Sequence, residues 1–333
     1  MSTYAVFRLG EPDTTNAERI TRNVMWRELE IAGRQIRFLR DTLLATSDFR
    51  QCDAVDGVEL WKLTFFKNQP YAIVIEVQIS EHDDIFNANL KLIGKAIWLQ
   101  LDNSSEAAYR GLTEIASQWL RGTGTLAATE FIPEGKRHVA VDAKGIAFLS
   151  EPVQETTFRR ALILQALAYA YQTVMHGLSR DLIASLSNEA TTRETYKKLV
   201  LFNAQCFFTS PVELSNVALP DIWRRLRVKF SIDETNAEIT RQAADVSQLL
   251  AEQARGETRR QEKASHDLAV RAAEATKQED IARNNADKKR DSFFRFWGRA
   301  AAIFLLLVSI MQGLQASPAQ LFENLKLWKK LLS

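Results

Sequence analysis

The chain has 333 residues, a formal net charge of +2 and a hydrophobic share of 46%. A chain of this length can hold one or two domains with real cores, and its near-neutral charge balance argues against nucleic acid as a partner. Cys52 and Cys206 lie far apart in the sequence, which predicts buried free thiols and no zinc site. No phosphate-loop or dinucleotide motif occurs, so we expect no cofactor and no bound metal.

Residues 1–150 mix helical and strand periodicities, which predicts an α+β cytosolic domain. The two strand candidates are rich in β-branched residues and are separated by a turn-forming segment, a pattern typical of a hairpin. The predicted elements are a helix over 16–44, strands over 58–66 and 71–79, a helix over 104–121 and a short hairpin over 139–149.

Asp56, Glu76 and Gln78 form a pattern similar to metal-dependent nucleases of the PD-(D/E)xK type. In those enzymes an Asp and a Glu-x-Lys or Glu-x-Gln pair lie on adjacent strands, where the carboxylates hold Mg²⁺ and the third group orients water. The alternative is an alternating strand in which Glu76 and Gln78 face solvent while Ile75 and Val77 point inward. The strand period favours this alternative.

Residues 151–231 predict a helical section. The segment 161–175 is apolar nearly all round and too short to span a bilayer, so we expect a helix buried on most faces. A second helix is predicted over 192–208 and ends before Pro211. The basic run 224–229 favours a solvated helix face over a nucleic-acid stripe.

Residues 232–292 predict one long stalk helix, since 233–292 contain no proline and a single glycine. About 60 helical residues extend about 90 Å. Apolar residues at heptad spacing begin this segment, which is typical of a coiled-coil seam between chains. The seam residues are Ile232, Ile239, Val246 and Leu249, followed by alanines after Gly256. The alternative is a solvated single helix stabilised by ion pairs.

Residues 293–316 predict a transmembrane helix, because no charged residue occurs between Ala300 and Phe322 and a bilayer core is crossed by about 20 apolar residues. The alternative is a hydrophobic helix packed against another protein. Small residues share one face of this helix, which allows close packing against copies of itself in lipid. They are Gly298, Ala302, Ser309, Gly313 and Ala316, with Gln312 beside them. Gln312 either hydrogen-bonds between subunits, lines a wet path or marks the far interface.

Basic residues precede the apolar segment, so the positive-inside rule predicts that the bulk of the chain is cytoplasmic. The tail after the apolar segment is too short and too charged for a second span, which predicts a single crossing. Residues 317–333 alternate lysines with large apolar residues, which predicts an amphipathic tail lying in the membrane interface.

This order of parts resembles CorA-type divalent-cation channels, whose long helix runs from a cytosolic domain into a pore-lining span within a homo-pentamer. Met311-Gln312-Gly313 stand nearest to the Gly-Met-Asn signature of that family, and no second full span follows them. The resemblance is architectural and transfers no ion-site residue. It implies a homo-oligomer with a channel-like membrane part.

Our leading expectation is a non-enzymatic, membrane-anchored homo-oligomer. Its cytosolic domain would sense a protein or a small-molecule trigger, and the stalk would relay that state to the membrane helices, with a pore as one form. The partners are then the lipid bilayer and further copies of the chain. The alternatives are a membrane-tethered nuclease that uses Asp56 and Glu76, and a passive scaffold.

Overall fold

A computed structural model describes residues 2–10, 25–53, 57–83, 92–101, 106–186, 188–213 and 218–313. The strands are β1 (Ser2–Gly10), β2 (Arg27–Glu28), β3 (Glu30–Ile31), β4 (Arg34–Gln35), β5 (Asp48–Asp53), β6 (Glu59–Phe65), β7 (Ile73–Ser80), β8 (Leu92–Gln100), β9 (Ile132–Glu134), β10 (Arg137–Asp142) and β11 (Gly145–Ser150). The helices are α1 (Asp41–Ala45), α2 (Glu106–Arg121), α3 (Glu155–Ser185), α4 (Glu189–Gln205), α5 (Leu219–Lys229) and α6 (Ile232–Gly313). The chain is therefore a mixed-sheet domain followed by helices, the last of them long.

Nine of the described strands form one mixed sheet in the order β2-β5-β6-β7-β1-β8-β11-β10-β9. Strands β8 and β11 run parallel, and the other described pairs in this sheet run antiparallel. The parallel pair requires a long crossover, and α2 lies within that connection. Both predicted hairpins are confirmed, with Trp61 opposite Val77 in one and Val139 opposite Phe148 in the other.

The two faces of the sheet are covered unequally. One face packs under the later helices along the sheet, through residues such as Trp61 on β6 and Trp98 on β8. The other face is covered by α2 only around β8, β10 and β11, where Ile97 and Leu149 contact Ala116 and Leu120 of that helix in a second core. Strand β11 is therefore buried on both faces, whereas β6 and β7 carry polar residues on their second face.

Helix α3 confirms the prediction of a helix that is buried nearly all round. Its buried residues fall on every side, and it contacts the sheet as well as α4 and α5. The sheet comes close to this helix at two glycines. A Cβ at Gly94 would clash with the Tyr169 hydroxyl, and a Cβ at Gly145, where φ is +150°, would clash with the Lys95 carbonyl oxygen. These positions admit no side chain without displacing α3 or the strand beside it.

The helix predicted over 16–44 is wrong for its described part. Residues 25–45 form three two-residue strands and the short helix α1, while 16–24 lie outside the described residues. Ala32 and Gly33 both have positive φ, which makes the tight turn between β3 and β4. The apolar residues that suggested a helical period reach the core from short extended segments instead, as Leu29 and Leu39 do.

The first turns of α6 belong to the domain. Ile232, Ile239 and Ala243 are buried in the same core as the sheet and α3, and the Asn203 side chain on α4 donates to the Thr240 hydroxyl. The sheet predicted for 1–150 and the helical section predicted for 151–231 share this core. The chain divides into two compact units, residues 1–251 and 252–333.

In the second unit the described residues, 252–313, are helical. The predicted helices over 232–292 and 293–316 are thus one continuous element as far as Gly313. Residue 316 and the predicted tail over 317–333 lie outside the described residues. The side chains from 252 to 310 are exposed apart from a few that are half-buried, so this part of the helix has no core of its own.

We expect Gly145→Ala to lower the free energy of unfolding by about 2–3 kcal/mol, because the added methyl group meets the Lys95 carbonyl at a backbone angle that side chains rarely adopt. Urea unfolding of the full chain in detergent, followed by tryptophan fluorescence, measures the change. Gly111→Ala is the matched control. Gly111 lies on the exposed face of α2 with open space where a Cβ would stand. The Gly111→Ala variant should be more stable than wild type by about 0.5–1 kcal/mol. Equal stability of the Gly145 variant and wild type would contradict the close approach of the Lys95 carbonyl to Gly145.

Candidate functional site

The apolar stretch of α6 is the first candidate site. Large apolar side chains from Ile303 to Ile310 are exposed on all sides of the helix, from 37% for Val308 to 68% for Phe304. The described part of this helix, Ile232–Ile310, contains a window long and apolar enough to cross a membrane, and none of that window is buried. Because water disfavours such a surface, an apolar environment would stabilise this stretch, and no described part of the chain covers it.

Aromatic and basic side chains lie directly before the apolar stretch. Phe293 and Trp297 are in ring contact, with centroids 6.0 Å apart, and both are more than half exposed. Lys288, Arg295 and Arg299 are exposed as well, and at about 100° per residue they fall on one side of the helix. An aromatic belt next to basic residues is typical of a helix entering a membrane interface.

The predicted small-residue face begins within the described helix. Gly298 has open space where a Cβ would stand, Ala302 is exposed and Ser309 is half-buried. The backbone at Gln312 and Gly313 is helical, whereas Ala316 lies outside the described residues. The structure thus extends one regular helix through this face as far as it is described.

The predicted stalk seam divides into two parts with different roles. Ile232 and Ile239 are 1% and 4% exposed and pack inside their own domain, so they are not available for a seam between chains. Val246 is half-buried and Leu249 is 57% exposed. Heptad spacing does not distinguish contacts within a chain from contacts between chains, which is why the prediction included Ile232 and Ile239. A seam between chains would begin at Val246 and Leu249.

The strand residues with a nuclease-like pattern form an ion pair instead of an open carboxylate site. Glu76 pairs with Arg8 on the neighbouring strand β1, and Gln78 is half-buried beside it. Ile75 and Val77 are fully buried while Glu76 and Gln78 are half-buried, so the side chains of this strand alternate between the two faces of the sheet. Asp56 lies outside the described residues. Among the residues that the structure describes, no three His, Cys, Asp or Glu side chains are grouped closely enough to hold a metal ion.

The basic run 224–229 makes specific contacts with other segments and is not simply a solvated helix face. Leu226 is fully buried, Arg225 pairs with Glu134 at 2.7 Å and Arg227 pairs with Asp233 of α6. One wall of a recess of about 310 Å³ is formed by this run, and the opposite wall is formed by residues of 130–141. Sequence reasoning missed this recess, because its walls come from segments that are far apart in the chain.

The exposed apolar stretch of α6 and the recess beside α5 are therefore candidate sites among the described residues. No family model, curated protein or solved structure matches this chain.

The Arg8–Glu76 pair can be tested for an ion-pair role against a metal-binding role. We expect Glu76→Leu to lower the free energy of unfolding by about 1–3 kcal/mol, because Arg8 is then left partly buried without its carboxylate. Adding Arg8→Met to that variant should recover most of the loss. Urea unfolding of the full chain in detergent measures both.

Lys62→Met, on the same face of the sheet and opposite Glu76, is the control and should change stability by no more than about 0.5 kcal/mol. Mg²⁺ should leave the unfolding midpoint unchanged. A midpoint that rises with Mg²⁺ in the wild type but not in Glu76→Gln would show a metal ligand at Glu76.

Proposed function

We propose that this protein is a membrane-anchored homo-oligomer. Its mixed-sheet domain binds a signal on the cytoplasmic side, and the long helix carries that state to membrane helices from several copies. The observation that carries the proposal is the exposed, charge-free stretch from Ile303 to Ile310 on α6, the same helix whose first residues are part of the domain core.

Membrane insertion is supported by the energetics of the apolar stretch. Burying one large aliphatic or aromatic side chain contributes about 1.5–3 kcal/mol, and consecutive residues here are exposed together. A helix satisfies its own backbone hydrogen bonds, as a segment in lipid must. Arg295 and Arg299 precede this stretch and support a cytoplasmic position for the domain, because basic residues are retained on that side.

Self-association is supported by two surfaces on different sides of α6. The alanines that continue the stalk seam after Gly256 include Ala286. At about 100° per residue, Ala286 lies about 160° around the helix from Ala302 of the small-residue face. One partner helix cannot contact both surfaces along a straight interface. A ring in which each helix contacts two neighbours uses both, and such head-to-tail contacts close with rotational symmetry.

The CorA-like order of parts favours one form of this proposal, in which the protein is a channel-like effector. Relay of a signal requires two arrangements of the assembly that bind the signal with different affinity. No proline interrupts α6 between Ile232 and Gly313. A displacement of its first turns is therefore not absorbed by a proline kink farther along the helix. Flux through liposomes distinguishes the channel-like form from a non-conducting anchor.

Membrane anchoring can be tested with a charge placed in the apolar stretch. We expect Leu306→Arg to move a large share of the protein from the carbonate-resistant membrane pellet to the supernatant, because a central arginine costs about 2.5–3.5 kcal/mol on insertion. Leu268→Arg is the control. Leu268 is 67% exposed on the same helix but lies outside the apolar stretch, so that variant should stay in the pellet. Wild-type protein found in the supernatant would refute the membrane proposal.

Self-association can be tested with adjacent residues on different faces of α6. We expect Ala302→Leu to lower the oligomeric mass measured by light scattering in detergent, because the longer side chain separates closely packed backbones. Ala301→Leu adds the same atoms about 100° around the helix and should leave the mass unchanged. Ion flux in liposomes should fall with the oligomer in the first variant only. A monomeric wild-type protein would overturn the proposal.

A further inference from the structure

The recess beside α5 has the size and lining of a small-molecule site. Its volume of about 310 Å³ lies within the range of ligand pockets, which begins near 300 Å³. The edge strand β9 and its neighbour β10 form one wall, and helix α5 forms the other. The lining residues are Glu130, Ile132, Val139, Val141, Arg224, Arg225, Val228 and Lys229.

The apolar part of the recess is left partly uncovered by the fold. Val139 and Val141 form a buried floor, with 0% and 7% exposure. Ile132 and Val228 stand on opposite walls and are 47% and 66% exposed. Four branched apolar side chains around one recess provide a surface on which a flat or branched apolar group can be buried.

The rim of the recess is positively charged. The Arg225 guanidinium is fixed, since it donates to the Val139 carbonyl oxygen at 3.0 Å and pairs with Glu134. The acidic rim residue, Glu130, is held by Arg121 at 3.1 Å. Lys229 has no carboxylate within ion-pair distance among the residues that the structure describes.

Arg224 can also reach a ligand, because its pair with Asp221 is exposed to solvent and is exchanged at little cost. Together with Lys229 it places positive charge above an apolar floor, a combination that suits an anion carrying an apolar group.

The recess lies next to the start of the long helix. Only Phe230 and Ser231 separate α5 from α6, and Ser231 has a φ of +46°, which is unusual for a residue with a side chain. The junction is held by the Gln172 side chain, which donates to the Phe230 carbonyl oxygen at 3.0 Å, and by the pair between Arg227 and Asp233. A displacement of α5 therefore reaches the first turn of α6 through direct contacts.

We propose that this recess binds a small organic anion. The acidic group contacts Lys229 and Arg224, the apolar body lies on Ile132, Val139, Val141 and Val228, and occupancy stiffens the α5–α6 junction. The inference deepens the proposed function by assigning a class of signal to the domain, and it rests on that function only for the consequence at the membrane.

Protection of a thiol introduced at the recess tests the binding. Cys52 and Cys206 are buried, so Val228→Cys supplies an accessible thiol in the full chain in detergent, and Ile183→Cys supplies an equally exposed one on α3. The probe is 1-naphthalenesulfonate. We expect it to slow alkylation of Cys at position 228 by N-ethylmaleimide at least fivefold and to leave position 183 unchanged.

Two controls show whether charge and position matter. The 1-naphthylmethylammonium ion has the same rings and the opposite charge, and it should give no protection. Adding Arg224→Gln and Lys229→Gln should raise the concentration of sulfonate needed for half protection about tenfold, because two charged contacts are lost. Equal protection by both ions, or none by the sulfonate up to about 10 mM, would overturn the proposed site.

Hydrogen exchange tests the effect on the junction. Amides of 230–236 should exchange more slowly when the sulfonate is bound, and the Arg224→Gln, Lys229→Gln variant should show no change at the same concentration. If the sulfonate protects position 228 but does not slow exchange at 230–236, the proposed stiffening of the α5–α6 junction is refuted. The proposed binding of the anion in the recess then still stands. Neither thiol protection nor hydrogen exchange depends on membrane insertion. If these two tests fail, the proposed membrane-anchored oligomer still stands. If the carbonate and light-scattering tests fail, the proposed anion site still stands.

Discussion

The segment 161–171 of helix α3 is buried on every side, and the domain is arranged to cover it. The sheet covers one side through Trp98 and its neighbours, while α4 and α5 cover the rest. Gly94 and Gly145 let the helix lie close to the strands. The Tyr171 hydroxyl donates to the Cys206 carbonyl oxygen at 2.8 Å and so connects α3 to the end of α4. Buried hydroxyls of this kind are stable only when they are hydrogen-bonded, so they also fix the position of the helix.

Features with a local cause were predictable from the sequence. Alternation over Ile75 and Val77, the apolar run of α3 and the length of α6 each follow from side chains that are close together in the chain. The helix predicted over 16–44 is wrong in its described part. Leu29, Leu39 and Leu43 are spaced as on a helix, but the Ala32–Gly33 turn breaks the chain into short extended pieces. The recess beside α5 could not be predicted, because Val139 and Val228 meet only once the sheet edge and α5 have packed.

Charge is used differently in the two units of the chain. In the first, carboxylates such as Glu134 and Glu76 are paired with arginines of neighbouring elements, so ion pairs fix the register of strands and helices. In the second, described ion pairs such as Arg283 with Glu279 lie within one turn of α6 and contribute only a few tenths of a kcal/mol to the helix. In the proposed membrane-anchored oligomer, the further stability of that part would come from lipid and from other copies of the chain.

The burial of Ile232, Ile239 and Ala243 in the domain core has a consequence for the order of events during synthesis. The ribosome completes the last residues of this core before it makes the apolar stretch that begins at Ile303. Domains fold as units from the amino-terminal side while synthesis continues. The sheet and its helices can thus close while the apolar stretch is still being made, and a chain that inserts as proposed would meet the membrane with its domain already folded.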